Sequence, residues 1–438
     1  MSTLEPQADQ TLLVIGHYLE DTRSLLKIVG AAQETYRLSP IFLITSTADL
    51  REQAIQAVRE GQYRVFDEPQ LSFAAEAGIR TRVPYLRIQH TLEANIALSK
   101  RILEIVRPAA ILCSGDAAGG TLVKTARLQG IPSLFLQWTE IHSLEVHKAW
   151  QVAETRWCDR QYPLPRRFQR RLGRFLDSLA KQGAKVPPLW PYFIPATYLA
   201  VAGPFYKSMC VRAGIPPEKV VVTGNPQCDD MYQYGKLSPE DKAVIRRDLG
   251  ISNGQRFILY AREHVGRIRH LDPGSALESE RLIMLAMRHA APEYVRVVRL
   301  HPKEGAKEHA RIRGLDPNAL IIGNDCNIGK VIAAADLVIS TVSSSLLWAL
   351  GIDTPAISAF LWRGVDEFKM RRHWVGVENV DTFDDLVAAI DRNVHDSAHQ
   401  QLWRQQRARG RSEFLVVDGK CTERIVRHLG LLLKREVL

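Results

Sequence analysis

The amino-acid sequence predicts an α/β protein made of two Rossmann-like, doubly wound domains that face each other across a cleft. Three features lead to this prediction. Short apolar runs of strand length alternate with segments of helical periodicity, the connections between them are short, and the alternation starts again after residue 255. Such alternation is typical of parallel sheets that are covered by helices on both faces.

The first half of the chain alternates regularly. Apolar runs predict strands at 11–18, 39–46, 109–116 and 131–138. Helices are predicted at 24–36, 49–61, 99–108 and 119–130. In the first of these helices, apolar residues recur at the spacing that places them on one helical face: Leu25, Ile28, Val29 and Ala32. A helix with such a face can cover one side of the sheet.

The second half repeats the scheme. Strands are predicted at 256–261, 294–302, 319–323, 336–340 and 354–358, with helices at 278–290, 330–336 and 344–351. We place the N-terminal domain at 1–240, the second domain at 241–410, and a C-terminal helix that could pack back on the N-terminal domain at 411–438. In doubly wound domains, ligands bind at the carboxyl ends of the strands. Functional residues are therefore expected there.

Composition and motif spacing exclude several classes of protein. Apolar residues make up 46% and charged residues 24% of the chain, which is typical of a globular protein. There is no CxxC pair and no HExxH spacing, so we expect neither a disulfide framework nor a structural zinc site. No apolar run is long enough to span a bilayer, and the N-terminal residues do not resemble a signal peptide. We therefore expect a cytoplasmic protein.

A basic insert at 151–192 interrupts the first half. The net charge is +10, and part of the excess lies in this insert. Within 163–185, apolar residues such as Phe168, Leu172 and Phe175 recur at helical spacing, with arginines between them. Two interpretations are open: a helix that contacts the inner face of the membrane, and a helix packed on its own domain with a solvated basic face. We expect no nucleic-acid partner, because no nucleic-acid motif accompanies the insert.

Polar residues stand where predicted strands of the first half end. His17, Glu20 and Asp21 follow the first strand, Asp116 follows a later strand, and Glu140 follows the next. Glycine and alanine around Asp116 would let a ligand approach the backbone. Asp116 is predicted either to be the base for an acceptor hydroxyl or to cap the helix that follows.

The strand ends of the second half carry basic residues. Arg262 and His264 close one predicted strand, and His301 and Lys303 flank Pro302 after the next. Arginine and histidine side chains that converge at strand ends suit a phosphate-bearing ligand. The alternative is that their hydrogen bonds tie the loops together.

A run of hydroxyl residues, Ser-Thr-Val-Ser-Ser-Ser at 340–345, lies between a predicted strand and a helix. One serine would suffice as a helix cap. The N-terminus of a helix attracts anions, and neighbouring hydroxyls add donors without bulk. We predict that Ser343, Ser344 and Ser345 bind phosphate; the alternative is helix capping and a tight turn.

Taken together, these motifs resemble the two-domain nucleotide-sugar enzymes of the glycosyltransferase-B (GT-B) fold. One branch contains the UDP-N-acetylglucosamine 2-epimerases, whose Gly-Asp motif and Val-Thr-Gly-Asn turn are similar to Asp116 with its preceding glycine and to the turn at Gly224 and Asn225. The chain departs from that branch at Gln137, where the epimerases have a carboxylate. It departs again at Trp348, where their helix opens with ribose-binding glutamates.

The other branch contains surface-polysaccharide transferases, which include CDP-glycerol glycerophosphotransferase-like, Kdo-transferase-like and sialyltransferase-like enzymes. Their phosphate-binding His-Pro and Ser-Ser motifs resemble His301 with Pro302 and the serines at 343–345. Their Asp-Gly-Lys segment, which opens the last helix, resembles residues 418–420.

This second resemblance implies an inverting, metal-independent glycosyltransferase, or a glycerophosphoryl-type transferase, that uses a UDP- or CMP/CDP-linked nucleotide sugar as its donor. The acceptor would be a glycan or a lipid-linked chain of a bacterial surface polysaccharide or glycolipid. No cofactor is expected, since the nucleotide sugar is the substrate. The donor phosphates would be bound by Arg262, His264, His301, Lys303 and the serines at 343–345. The base would be Asp116, Glu20, Asp21, His17 or Glu140. Two alternatives remain: an epimerase, and a non-catalytic protein that binds nucleotide sugars.

Overall fold

The protein is described from a computed structural model. The model describes residues 10–17, 19–45, 48–66, 84–114, 120–137, 196–263, 271–301, 304–323, 326–363 and 372–434, with backbone alone at 48–50 and 84–93. The basic insert predicted at 151–192, including 163–185, lies outside the described residues. So do four of the predicted site residues: Asp116, Glu140, His264 and Lys303.

The described residues form two compact units. The first unit contains the residues up to 227 and those from 420 onward, and the second unit contains those from 228 to 419. Each unit is built on its own parallel sheet. The prediction of two doubly wound sheets is therefore confirmed.

The first unit has a parallel sheet with the strand order β3-β2-β1-β4-β5-β6-β7. Its strands are β1 (Gln10–Gly16), β2 (Leu38–Ile44), β3 (Arg64–Val65), β4 (Ala110–Ser114), β5 (Ser133–Leu136), β6 (Tyr198–Val201) and β7 (Val220–Val222). Its described helices before residue 227 are α1 (Leu19–Thr35), α2 (Ala48–Glu60), α3 (Pro84–Val106), α4 (Gly120–Leu128) and α5 (Pro204–Arg212), with a 3-10 turn at Pro217–Lys219.

The second unit has a parallel sheet with the strand order β10-β9-β8-β11-β12-β13. Its strands are β8 (Phe257–Ala261), β9 (Val295–Arg299), β10 (Leu320–Ile322), β11 (Leu337–Ser340), β12 (Ala356–Ala359) and β13 (Glu378–Val380). Its helices are α6 (Gln227–Gly235), α7 (Pro239–Asp248), α8 (Pro273–Ala290), α9 (Ala306–Leu315), α10 (Ile328–Ala334), α11 (Ser345–Ile352), α12 (Phe383–His395) and α13 (Ser397–Phe414). The last helix, α14 (Cys421–Leu432), belongs to the first unit.

The central strands of both sheets are apolar almost throughout, because helices cover both faces. In the first unit, β1 buries consecutive side chains, Leu12, Leu13 and Val14. The apolar face predicted for the first helix is buried as well. The last helix joins the same core through Ile425 and Leu429. Nearly continuous apolar strands are the signature of a parallel sheet buried on both faces.

The boundary between the units lies after residue 227, earlier than the position near 240 taken from the sequence. The sequence placed the boundary within α6 and α7 or just after them, whereas both helices pack on the second unit. The ring of Tyr234 stacks on Trp348, with 6.3 Å between centroids. Arg246 donates two hydrogen bonds to the carbonyl of Ala334 and pairs with Asp336 at 3.1 Å. These contacts assign both helices to the second unit.

Two helical glycines of the second unit differ in how closely other atoms approach them. A Cβ atom on Gly410 would lie 1.7 Å from the carbonyl oxygen of Val375, whereas a Cβ atom on Gly314 would meet no atom within 4 Å. We expect Gly410→Ala to lower the free energy of unfolding by about 1–3 kcal/mol or more, because backbone must move to make room. Gly314→Ala should instead be neutral or stabilising by up to about 1 kcal/mol. Urea unfolding of both variants measures this, and equal shifts would contradict the close contact at Gly410.

Candidate active site

The carboxyl edge of the second sheet is organised around the end of β8. The strand order reverses at β8, which has β9 on one side and β11 on the other. Such reversal points are where doubly wound sheets bind ligands. Two consecutive residues, Arg262 and Glu263, follow β8 and contact different neighbours.

Glu263 holds the start of the hydroxyl-rich loop at 340–345. Its Oε1 atom accepts hydrogen bonds from the backbone N–H groups of Thr341 at 2.9 Å and Val342 at 2.6 Å, and it lies 3.0 Å from the hydroxyl of Ser340. Burial raises the pKa of the Glu263 carboxyl, while the bonds from Val342, Ser340 and Thr341 oppose that shift. Consecutive N–H groups that converge in this way form an anion-binding concavity, and here a side chain of the protein fills it.

The same loop is fixed from other directions. The hydroxyl of Ser358, on β12, donates to the carbonyl of Thr341 at 2.5 Å. The side chain of Val342 packs in an apolar cluster with Phe360 and Trp362. The first half of the loop is therefore held by contacts from β8, β12 and the residues that follow β12.

The predicted phosphate-binding serines form the more accessible half of the loop. Ser343 and Ser345 are half-buried, and Ser344 is exposed. Ser343 accepts a hydrogen bond from the N–H of Ser345 at 3.2 Å, and Ser344, which precedes α11, makes no side-chain capping bond. Ser343 therefore bonds to the first residue of the helix, and the exposed Ser344 takes no part in capping through its side chain. Phosphate binding by these serines stays a prediction.

Arg262 lies in a buried network of ion pairs. Its guanidinium group pairs with Glu280 at 2.6 Å and with Glu304 at 2.6 Å, and its side chain is only 4% exposed. Glu280 also pairs with Arg311. Arg262 was predicted to bind donor phosphate, but in the structure these bonds direct it to carboxylates of the protein.

Glu304 links this network to His301. Its Oε2 atom accepts the backbone N–H of His301 at 2.9 Å as well as the bond from Arg262, and its own N–H donates to the carbonyl of His301 at 2.8 Å. The turn after β9 is therefore closed on both sides. His301, which is half-buried, is held at the strand end at which the sequence placed it.

A small pocket of about 30 Å³ lies beside these groups. Its lining combines apolar and charged side chains, which include Tyr260, Leu277, Trp362, Glu263, Glu280 and Arg311. Charged side chains that are fixed by ion pairs thus stand beside an apolar wall, in a space of roughly the size of one water molecule.

The first unit uses a carboxylate in a similar way. Asp21 is fully buried, and its Oδ2 atom accepts the N–H of His17 at 2.9 Å and the hydroxyl of Ser114 at 2.8 Å. It thereby joins the carboxyl ends of β1 and β4. Burial and the charge of Asp21 raise the pKa of Cys113 to about 12. Asp21, one of the predicted bases, is enclosed in the protein and fixes the loop.

The other predicted residues of the first unit that the structure describes lie at strand ends, on α1 and in a turn. His17 is half-buried, and its Nδ1 atom lies 3.2 Å from the hydroxyl oxygen of Thr45. Glu20 is exposed on α1. Gly224 has a φ of 86°, and Asn225 accepts the N–H of Gln227 at 2.9 Å, so a tight turn precedes α6.

The comparisons with known proteins identify the family. The model of the CDP-Glycerol:Poly(glycerophosphate) glycerophosphotransferase family matches residues 192–430, which is more than half of the chain. The chain belongs to this family. The matched region includes Arg262, Glu263, His301 and the loop at 340–345. None of the curated proteins compared with the chain matches it in sequence.

Solved structures show the fold. A UDP-GlcNAc 2-epimerase from Neisseria meningitidis, bound to UDP-GlcNAc, has 15% identity and a TM-score of 0.60 over 96% of this chain and 99% of that one. A glycosyltransferase from Rickettsia africae has 11% identity and a TM-score of 0.55 over 98% and 100%. HepE from Anabaena, in complex with UDP and glucose, has 14% identity and a TM-score of 0.54 over 96% and 100%. The predicted GT-B fold and the resemblance to its transferases and epimerases are confirmed.

No described helix is both long and apolar enough to cross a membrane. In the same part of the chain, no group of three or more His, Cys, Asp or Glu side chains is arranged to hold a metal ion.

The network around Arg262 yields a stability prediction. Arg262→Ala would leave Glu280 and Glu304 buried without this partner, and we expect a loss of about 3–5 kcal/mol in the free energy of unfolding. Arg281→Ala is the matched control on the same helix as Glu280. Its pair with Glu278 is about half exposed, so little change is expected. Urea unfolding compares the two variants, and similar losses in both would show that the network around Arg262 does not stabilise the unit.

Proposed function

We propose that the protein is a transferase that moves a glycerophosphoryl-type group from a cytidine-diphosphate donor to a hydroxyl group of a surface polymer or glycolipid. The observation that carries this proposal is the family match. It spans the whole second unit, including His301 and the serines at 343–345. The sequence alone left sugar and glycerophosphoryl transfer both open, and the family name favours the second.

The proposed chemistry is a displacement at phosphorus. The acceptor oxygen forms a bond to the phosphorus that carries the glycerol, the P–O bond to CMP breaks, and CMP leaves with the electron pair. The acceptor proton passes to a base. Charge accumulates on the transferred phosphate and on the departing CMP, so positioned donors are the main requirement.

The second unit supplies such donors. His301 and the hydroxyls of Ser343, Ser344 and Ser345 stand at the ends of β9 and β11. In this proposal they bind the donor phosphates and stabilise the leaving CMP. His264 and Lys303 remain proposed additional donors. For the base, Asp116, His17, Glu20 and Glu140 remain the candidates, since only Asp21 is seen to be enclosed in the protein.

The residues at which the chain departs from the epimerases have structural roles. Gln137 is 3% exposed, and its side-chain oxygen accepts the N–H of Ala202 at 2.8 Å. Trp348 stacks on Tyr234. An amide and an indole cannot supply the carboxylates that the epimerases have at these places, so we do not propose epimerase activity.

A thermal-shift screen tests the donor class. We expect CDP to raise the unfolding temperature more than UDP or GDP at equal concentration, because the stabilisation by a ligand grows with the logarithm of the ratio of its concentration to its Kd. A larger shift with UDP would contradict the cytidine donor and favour a uridine nucleotide sugar. If no nucleotide shifts the unfolding temperature, the proposed function is wrong.

The role of His301 is tested by turnover. We expect His301→Ala to lower the rate of CMP release from CDP-glycerol by about a hundredfold, because removal of one donor to developing charge costs on this order. His309→Ala, which alters an exposed histidine on the nearby helix α9, should leave the rate unchanged. Equal rates for wild type and His301→Ala would exclude His301 from the reaction.

A base is tested in the same assay. We expect the substitution of the base, His17→Ala or Asp116→Ala, to lower turnover by about a hundredfold while CDP affinity is kept, since the base acts on the acceptor. The variant of the residue that is not the base serves as the control. If neither substitution changes turnover, both residues are excluded.

A further inference from the structure

The backbone of the loop at 340–345 does not offer its first N–H groups to a ligand. Thr341 and Val342 are buried, and their N–H groups both donate to one carboxylate oxygen of Glu263, at 2.9 and 2.6 Å. An anion that approaches this loop therefore finds these two donors already bonded. The donors further along the loop, at 343–345, are the ones that reach solvent.

Removal of the Glu263 carboxyl would cost free energy. Both N–H groups that it accepts belong to buried residues, and a buried donor without a partner costs free energy comparable to a lost hydrogen bond. The hydroxyl of Ser340 also bonds to the carbonyl of Ala261 at 2.5 Å, but that bond holds the end of β11 and not the loop beyond it.

The serines lie between two anchored residues. Val342, before them, packs against Phe360 and Trp362 and is tied by its N–H to Glu263. Leu346, after them, is fully buried at the start of α11. The path of residues 343–345 is therefore set by the positions of these two anchors, and Glu263 fixes the first of them.

We propose that Glu263 is a positioning residue of the donor site: its carboxyl group holds the loop so that Ser343, Ser344 and Ser345 present their hydroxyls to the phosphates of a nucleoside diphosphate. This inference rests on the proposed function, because it names a further residue of the same site. It also separates two tasks, since Glu263 acts through the loop and the serines contact the ligand.

The acceptor atom of Glu263, and not its charge, is the part that the loop needs. A neutral amide oxygen can accept the same two N–H bonds, and burial already favours the uncharged form of this carboxyl. A negative charge near a bound diphosphate would repel it. Glu263→Gln is therefore expected to keep the loop in place.

The test compares the affinities of CDP and cytidine, measured by calorimetry on wild type, Glu263→Ala and Glu263→Gln. The ratio of the two dissociation constants reports the contribution of the phosphates alone. We expect Glu263→Ala to lose about tenfold in CDP affinity with cytidine affinity unchanged, because the serines are no longer held in place. Glu263→Gln should retain the wild-type ratio.

A matched control separates positioning from general stability. Glu378 is a buried carboxylate at the amino end of β13, where it accepts bonds from Asn393 at 2.6 Å and Arg392 at 2.8 Å. Glu378→Ala should lower the unfolding temperature without changing the ratio of CDP to cytidine affinity. A similar change of the ratio in both alanine variants would show that Glu263 acts only through stability.

The outcomes are distinct. If wild type binds no CDP, the proposed function itself fails. If wild type binds CDP and Glu263→Ala has the same ratio, only the role of Glu263 is overturned. Should Glu263→Ala fail to fold, Glu263→Asp takes its place, because its carboxyl is one methylene short of the loop. We expect the ratio of CDP to cytidine affinity to fall in Glu263→Asp and to stay at the wild-type value in Glu263→Gln. Equal ratios in these two variants would overturn the proposal.

Discussion

Two buried ionisable residues that follow the central strand hold the loops at the carboxyl edge of the second sheet. Arg262 pairs with Glu280 and Glu304, and Glu263 accepts the N–H groups of the loop after β11. Because β8 lies between β9 and β11, these contacts hold the loops of both neighbours. Burial of a charge is costly unless it is paired and hydrogen-bonded, so each arrangement is tolerated in few geometries. The carboxyl edge is thereby fixed before any ligand arrives, which is what electrostatic catalysis requires.

In both units, a carboxylate joins the ends of two neighbouring strands where the strand order reverses. In each sheet, the strand order reverses beside the first strand of the unit, and a carboxylate from the residues after that strand crosses the reversal point. Asp21 accepts the hydroxyl of Ser114, the last residue of β4, and Glu263 contacts that of Ser340, the last residue of β11. Both carboxylates also accept backbone N–H groups. A loop that would otherwise expose unpaired donors is thus closed from within the protein.

The sequence was sufficient for the architecture and for the order of the motifs. Buried parallel strands read as apolar runs, so most strands and the helices with a clear apolar face could be predicted. Four described strands were missed: β6 and β7, which are apolar but only four and three residues long, and the less apolar β3 and β13. β13 reads Glu-Asn-Val and β3 has two residues, so neither forms an apolar run. The unit boundary was misplaced because α6 and α7 are polar on the surface and are held by particular contacts, such as that of Arg246 with Asp336.

The candidate site was harder to predict, because sequence shows which residues stand at strand ends but not which of them bond to one another. Arg262 and Asp21 have the chemistry of ligand-binding groups, yet their partners belong to the protein. Glu263 was overlooked, since a single glutamate beside an arginine carries no motif. Its partners are backbone N–H groups, and these are the same in every residue type except proline, so the sequence does not indicate which of them a side chain will bind. The serine run shows the same limit: Ser340 bonds to the end of β8, Ser343 accepts the N–H of Ser345, and the exposed Ser344, the N-cap residue of α11, makes no side-chain capping bond.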